Sequence, residues 1–119
     1  MASVLIADDA AFMRTMIKGI LVDAGYDVVG EAEDGVAAVS KHRELKPDLT
    51  TMDITMPELD GLAALRQIRA DDPEARVVMC SAMGQTEMVI ESIQAGARDF
   101  VVKPFQPERI LEAVRKALA

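Results

Sequence analysis

Leu49–Gly61, LTTMDITMPELDG, decides how the rest of the chain is read. Its first part, Leu49–Asp53, is a short strand that ends on one acid, Asp53. Pro57 and the Asp60-Gly61 pair then break the backbone before an amphipathic helix begins. A strand that ends in a lone aspartate puts the carboxylate on the carboxyl edge of a sheet, where open α/β sheets gather their chemistry. An acid in that position can ligate a metal, act as a base or be a nucleophile.

Upstream, Ser3–Ala7 is a continuous apolar run of the kind a central parallel strand needs, and it ends in Asp8-Asp9. Met13, Met16, Ile17, Ile20, Leu21 and Ala24 then recur at helical spacing as a core stripe, with Asp9 as candidate N-cap and Gly25 as candidate C-cap. Phe12 lies beside that stripe, close to the acids. Tyr26–Ala32 reads as a weaker strand near a sheet edge, and Ala37 to Leu45 as a second helix ended by Lys46-Pro47-Asp48. Downstream, Leu62, Leu65, Ile68 and Arg69 mark a third helix. Arg76–Cys80 is a fourth strand that leads into the small-residue loop Ser81-Ala82-Met83-Gly84. Val89, Ile90, Ile93 and Ala97 mark a fourth helix, ended by Gly96. Asp99–Val102 is a fifth strand that leads into Lys103-Pro104, and Pro107 opens a fifth helix with Ile110, Leu111, Val114 and Leu118 inward. Five strand–helix pairs with short links predict a doubly wound α/β fold with a parallel sheet, as one domain over residues 1–119.

Composition narrows the function. Half of the 119 residues are apolar but only three are Phe and one is Tyr, so the core is aliphatic and methionine-rich. A net charge of −7 argues against a nucleic-acid partner, whose phosphates call for a basic surface. No apolar run is long enough to span a bilayer, and there is no signal peptide, so no membrane partner is expected. The single cysteine, Cys80, allows no internal disulfide and fits a reducing cytoplasm. It reads as a buried, inert thiol, and the single histidine, His42, as a surface residue in a charged helical stretch.

The strand ends carry the chemistry. Strand one delivers Asp8 and Asp9, strand three Asp53, strand four Ser81 and strand five Lys103, and in a doubly wound sheet these ends share one edge. Three close carboxylates repel one another unless a cation joins them. Oxygen donors without His or Cys suit Mg2+, which keeps several waters and uses few carboxylates. Lys103 adds positive charge and Ser81 a hydroxyl, a set that can neutralise a phosphoryl group. Asp53 is then the natural acceptor, because aspartate can form an acyl phosphate.

Asp8-Asp9, Asp53-Ile54-Thr55-Met56-Pro57, Ser81-Ala82 and Lys103-Pro104-Phe105 together resemble the receiver domain of two-component response regulators, over essentially the whole chain. Cys80–Gln85 (CSAMGQ) and Lys103–Arg109 (KPFQPER) are most similar to stand-alone chemotaxis regulators of the CheY type. The resemblance implies a flavodoxin-like (βα)5 sandwich with strand order 2-1-3-4-5. It implies that Asp53 is the phosphoacceptor for a histidine kinase. Mg2+ is then held by Asp9, Asp53 and the backbone carbonyl of Thr55, with Asp8 acting through water. Ser81 follows the phosphoryl group, Lys103 pairs with a phosphoryl oxygen, and the Lys103–Pro104 bond is expected to be cis. Phe100 stands where the family carries a switching aromatic, whose ring would turn inward as Ser81 moves. Implied partners are the kinase, a phosphatase and a downstream docking protein, the flagellar motor switch, read by a monomer through helix four, strand five and helix five. The protein would act on no substrate beyond its own aspartate.

Thr55 stands where the best-known chemotaxis regulator carries Asn, and Phe100 where it carries Tyr, so a switch using a ring hydroxyl is not available. Met83 borders the path of attacking water and is expected to set hydrolysis rate by bulk. Met88 lies off the stripe of Val89 and Ile93, which predicts an exposed residue near Phe100 and a partner surface. Blander readings stand beside these: Asp8-Asp9 as a helix cap, Lys103 as a solvated loop residue, Ser81 as a turn former. Competing functions are a phosphorelay intermediate or phosphate sink, a receiver cut from a larger regulator, a metal-dependent phosphatase with an Asp nucleophile, and a flavin or nucleotide carrier. The phosphatase would place a second acid where Thr55 stands, and the carrier would place a phosphate cradle where Asp8-Asp9-Ala10 stands.

Overall fold

A computed structural model describes residues 1–119. Five strands alternate with five helices: β1 Ser3–Ala7, α1 Ala11–Asp23, β2 Asp27–Ala32, α2 Gly35–Leu45, β3 Leu49–Met52, α3 Gly61–Asp71, β4 Val77–Ser81, α4 Thr86–Gln94, β5 Asp99–Val102 and α5 Pro107–Leu118. All strand pairs are parallel, in the order β2-β1-β3-β4-β5. The expected doubly wound sheet is therefore what forms.

Side-chain alternation splits the core in two. Val77 and Met79 of β4 join Met52, Leu62, Leu65 and Ile68 on the side of α2, α3 and α4. Val78 and Cys80 join Ile17, Leu21, Ile110 and Val114 on the side of α1 and α5. The helices on both faces leave β3 and β4 with every residue buried, which is why those strands read as continuous runs rather than alternating ones.

Some strand boundaries differ from the sequence reading by one residue. β3 ends at Met52 and leaves Asp53 just outside. β4 runs Val77–Ser81, so Ser81 is the last strand residue and not the first of the loop. Asp9 does not cap α1: the N-cap is Ala10, with no side-chain bond. Asp34 and Asp60 do cap, accepting from Ala37 and Ala63 N–H at 2.7 and 2.8 Å. At the other end of α1 the C-cap is Ala24, and Gly25 follows at φ +93°, the left-handed conformation that glycine takes without strain.

Three placements correct the sequence reading. His42 is buried, because α2 packs its last turn against the end of α3, beside Asp71 and Asp72. Met16 and Ala24 are exposed, so the core stripe of α1 narrows to Ile17 and Leu21 with Met13 and Ile20 at its margin. In α4 the phase is rotated: Ile90 and Ile93 face out, while Met88 and Val89 pack against the core and Ser92 is buried. Ser92 is tolerated there because its hydroxyl donates to the Met88 carbonyl one turn back, at 2.8 Å.

Candidate functional site

Backbone register assembles the site. The β1–β3 pairing sets Ala7 opposite Met52, so Asp8 and Asp53 leave the sheet side by side. Asp53 N–H donates to the Ala7 carbonyl at 3.0 Å, and Asp8 N–H to that of Ala32 at 3.0 Å. The β4–β5 pairing sets Ser81 opposite Val102, and Lys103 N–H donates to the Ser81 carbonyl at 2.9 Å. The Lys103–Pro104 peptide is cis, as the resemblance implies.

Two glycines hold the loop after Asp53 against its neighbours. A Cβ on Gly61 would lie 1.8 Å from the Asp53 carbonyl oxygen, and one on Gly35 1.9 Å from that of Leu59. Both approaches are closed to any side chain. Between them Glu58 sits at φ +68°, a strained value for a non-glycine residue and one found where a loop's shape is dictated by function.

Asp8 and Asp53 are buried and Asp9 is exposed, and one oxygen from each of the three lies within 4.8 Å of the others. Lys103 Nζ donates to Asp8 Oδ2 at 2.6 Å and to Asp53 Oδ2 at 3.1 Å. Burial pulls the lysine pKa down, but the bond to Asp8 and the charges of Asp53 and Asp8 outweigh it, and the value rises above that of ordinary lysine. The ammonium is thus fixed in its charged form between two carboxylates. Asp8 Oδ1 accepts from Ala10 N–H at 2.9 Å. Asp53 Oδ1 and the Asp9 carboxylate receive no protein donor, which leaves hard oxygen atoms free on the open side of the cluster. An all-oxygen donor set of this kind fits a small divalent cation.

Ser81 is buried beside the cluster, its Oγ accepting from Met83 N–H at 3.2 Å. Thr55 is exposed, and its Oγ1 donates to Met83 Sδ at 3.2 Å, so Met83 bridges the β3–α3 and β4–α4 loops over the site. Beside them a cavity of about 320 Å³ is lined by Ile54, Met56, Leu62, Met83 and Met88 among others. Met88 is half-buried in this wall and not the exposed residue that its position off the apparent stripe predicts. The ring of Phe100 is already inside the core with that wall: lacking a hydroxyl, it has no polar atom to keep in water. Cys80 is buried next to Ser81, and burial pushes its thiol up to about 12, against the pull of Lys103. The inert-thiol reading therefore holds.

The sequence reading missed an outer layer. Arg14 of α1 donates through Nη1 to the Asp8 carbonyl at 2.8 Å and through Nε to Glu31 at 3.1 Å, and Lys41 donates to the Glu31 carbonyl. Arg109 of α5 grips both oxygens of Asp99, at 3.0 and 3.2 Å, and the Phe100 carbonyl at 3.2 Å. No spacing rule points to either arginine, since each works by the reach of a long side chain across elements.

A family model for the response regulator receiver domain matches residues 4–115. The chain is 64% identical to the chemotaxis protein CheY of Bacillus subtilis over 115 residues, covering 97% of this chain and 96% of that one. It is 61% identical to CheY of Thermotoga maritima over 113 residues, covering 95% and 94%. Among solved structures, the CheX–CheY–BeF3–Mg2+ complex from Borrelia burgdorferi superposes with a TM-score of 0.97 at 35% identity, covering 99% of this chain and 90% of that one. The response regulator domain of T. maritima CheB gives 0.94 at 40% identity, covering 99% and 96%. With the strand-end acids, the lysine and the 2-1-3-4-5 sheet in place, the chain belongs to the response regulator receiver domain family, as a receiver of the CheY type.

Proposed function

We propose that this protein is a phosphorylation-activated switch of chemotaxis. It takes a phosphoryl group from a histidine kinase onto Asp53 in a Mg2+-dependent reaction and then docks a downstream partner. One observation carries this: Asp53 is a buried carboxylate with one oxygen tied to Lys103 and the other free toward an open cluster of acids. Asp9, Asp53 and the Thr55 carbonyl would hold the Mg2+, with Asp8 reaching it through water. When bound, the ion screens the carboxylates and draws charge from the phosphoryl oxygens. The BeF3 and Mg2+ in the B. burgdorferi complex support the same chemistry here.

The chain's own residues do the rest. The free oxygen of Asp53 attacks phosphorus, and the bond from phosphorus to the donor nitrogen breaks with its electron pair leaving on the histidine. Lys103 keeps its proton and follows a phosphoryl oxygen. Ser81 gives up its bond from Met83 N–H to donate to another. Water later attacks the acyl phosphate, restoring Asp53 and releasing phosphate. No other substrate is turned over.

Output is through docking at α4, β5 and α5. Ile90, Ile93 and Val102 are exposed apolar side chains on α4 and β5, and this patch favours a docking switch over a mere phosphate sink. The partner in this reading is the flagellar motor switch, and that the CheY relatives are chemotaxis proteins supports it. A phosphatase partner fits the same site, and a cytoplasmic location fits the single buried thiol; no helix is long and apolar enough to cross a membrane.

The test is intact mass after incubation with acetyl phosphate, with and without Mg2+, beside Asp53→Asn. A Mg2+-dependent gain of one phosphoryl group, absent in the variant, is expected. A gain that survives in Asp53→Asn would move the acceptor elsewhere.

A further inference from the structure

We propose that Arg14 is a positioning residue for the acid cluster, and that its grip on the Asp8–Asp9 peptide sets the affinity of the site for Mg2+. This rests on the Mg2+ reading above. Arg14 is nearly buried, with its side chain 16% exposed, although a guanidinium is among the groups least often taken out of water. It spends two of its nitrogens on two partners. Nη1 donates to the Asp8 carbonyl at 2.8 Å, and Nε donates to Glu31 Oε1 at 3.1 Å. Glu31 is itself held: β2 pairs it with Ile6, Lys41 donates to its carbonyl, and Lys18 stands 3.9 Å from its other carboxylate oxygen.

The carbonyl that Arg14 grips belongs to the peptide between Asp8 and Asp9. The orientation of that peptide decides where the Asp9 side chain leaves the backbone. Asp8 needs no such help, because both its carboxylate oxygens and its N–H are already bonded. Asp9 has no side-chain bond and caps no helix. Its place within reach of Asp8 and Asp53 is thus inherited from the peptide before it. Arg14 reaches the ion through a protein ligand, as outer-layer partners of metal sites do.

Simple electrostatics predicts the opposite sign. A cation beside three carboxylates repels a second cation, so removing it for its charge alone would tighten Mg2+ binding. Removing it as a positioning residue weakens binding, because Asp9 loses its aim. The direction of the change therefore separates the two roles.

The experiment is calorimetric titration with Mg2+ alone, without any phosphodonor, on wild type, Arg14→Gln, Arg14→Lys and Glu31→Gln, with melting in EDTA as the check on folding. Arg14→Gln is expected to weaken Mg2+ about tenfold, the usual cost of losing an outer partner. Arg14→Lys and Glu31→Gln fall between, since an ammonium cannot bridge both acceptors and a loosened guanidinium still reaches Asp8. Phosphorylation by acetyl phosphate should need more Mg2+ in Arg14→Gln yet reach the wild-type rate at saturation, a split that general destabilisation would not produce. Unchanged or tighter Mg2+ binding in Arg14→Gln would overturn the proposal. If that variant does not fold, unchanged binding in Glu31→Gln overturns it instead. Wild type that takes up no Mg2+ would bring down the metal reading and this proposal together, whereas wild type that binds while Arg14→Gln binds equally well refutes this proposal alone.

Discussion

Replacing Lys103 by Met should expose what the lysine does for the fold. Its side chain is 14% exposed and its ammonium sits between Asp8 and Asp53, whose side chains are 2% and 9% exposed. Methionine keeps most of the apolar stem and removes only the charge. Two buried carboxylates are then left facing each other without a cation. Breaking a buried ionic network from one side costs about 3–5 kcal/mol, and the open side of this cluster argues for the lower end, about 3. A chain of 119 residues unfolds with an entropy of about 250 cal/mol/K, so about 3 kcal/mol corresponds to a fall of about 12 °C in Tm. Mg2+ should reverse much of this, because an ion bound to the folded state alone stabilises it by mass action. The Mg2+-induced rise is therefore larger in Lys103→Met than in wild type, and it should vanish in Asp9→Ala. Circular-dichroism melts in EDTA and in excess Mg2+ measure all of these. A fall of less than about 4 °C in EDTA, roughly 1 kcal/mol, would refute the view that the lysine neutralises the metal-free cluster. So would an equal Mg2+ response in Lys103→Met and wild type.

Three further outcomes follow from other parts of the structure. Met83→Ala removes the thioether that bridges to Thr55 above the site, and should shorten the aspartyl-phosphate lifetime severalfold; equal decay in wild type and variant, followed by intact mass, would exclude shielding by bulk. Burial lowers the pKa of His42, with Asp72 and Asp71 offsetting part of the fall, so the folded state prefers the neutral ring. The stability this gives is present above the ordinary histidine value of about 6.5 and is lost as pH drops through the lower folded value, so Tm should fall more steeply on acidification in wild type than in His42→Gln. Parallel slopes would remove His42 from the account. In α4 only Ser92 is fully buried, against five residues in α3, so native-state hydrogen exchange should open α4 first; slower exchange in α4 than in α3 would contradict this.

The fold and the inner site were legible in the sequence for one physical reason. In a parallel doubly wound sheet, each strand ends at the same edge, so the residue after each apolar run has a known address. Asp8, Asp53, Ser81 and Lys103 needed no more than that, and the parallel register brings them together. Arg14, Glu31 and Arg109 had no such address. Their contacts depend on how far a long side chain reaches across two elements, and neither period nor spacing encodes reach. His42 failed differently: its neighbours in α2 are polar, and only the packing of the end of α3 over it makes the position interior.

The misreading of α4 has the most to say about function. In the sequence, the apolar stripe of α4 puts Ile90 and Ile93 in the core. Burying such a side chain yields about 1.5–3 kcal/mol, so a helix that turns both outward forgoes a large share of its anchorage. Its inner face is instead Met88, Val89 and the small residues Ser92 and Ala95, with a serine that satisfies its own hydroxyl inside the helix. Such a face adheres weakly and repacks easily, because methionine adapts its shape and small residues interlock little. The helix that carries these exposed apolar side chains is thus also the one with the fewest buried residues, and it begins five residues after Ser81. A switch needs its site and its docking face joined by an element whose two positions differ little in energy. In α4 the residues that break the hydrophobic pattern leave the helix few buried anchors, and for this reason pattern alone could not place them.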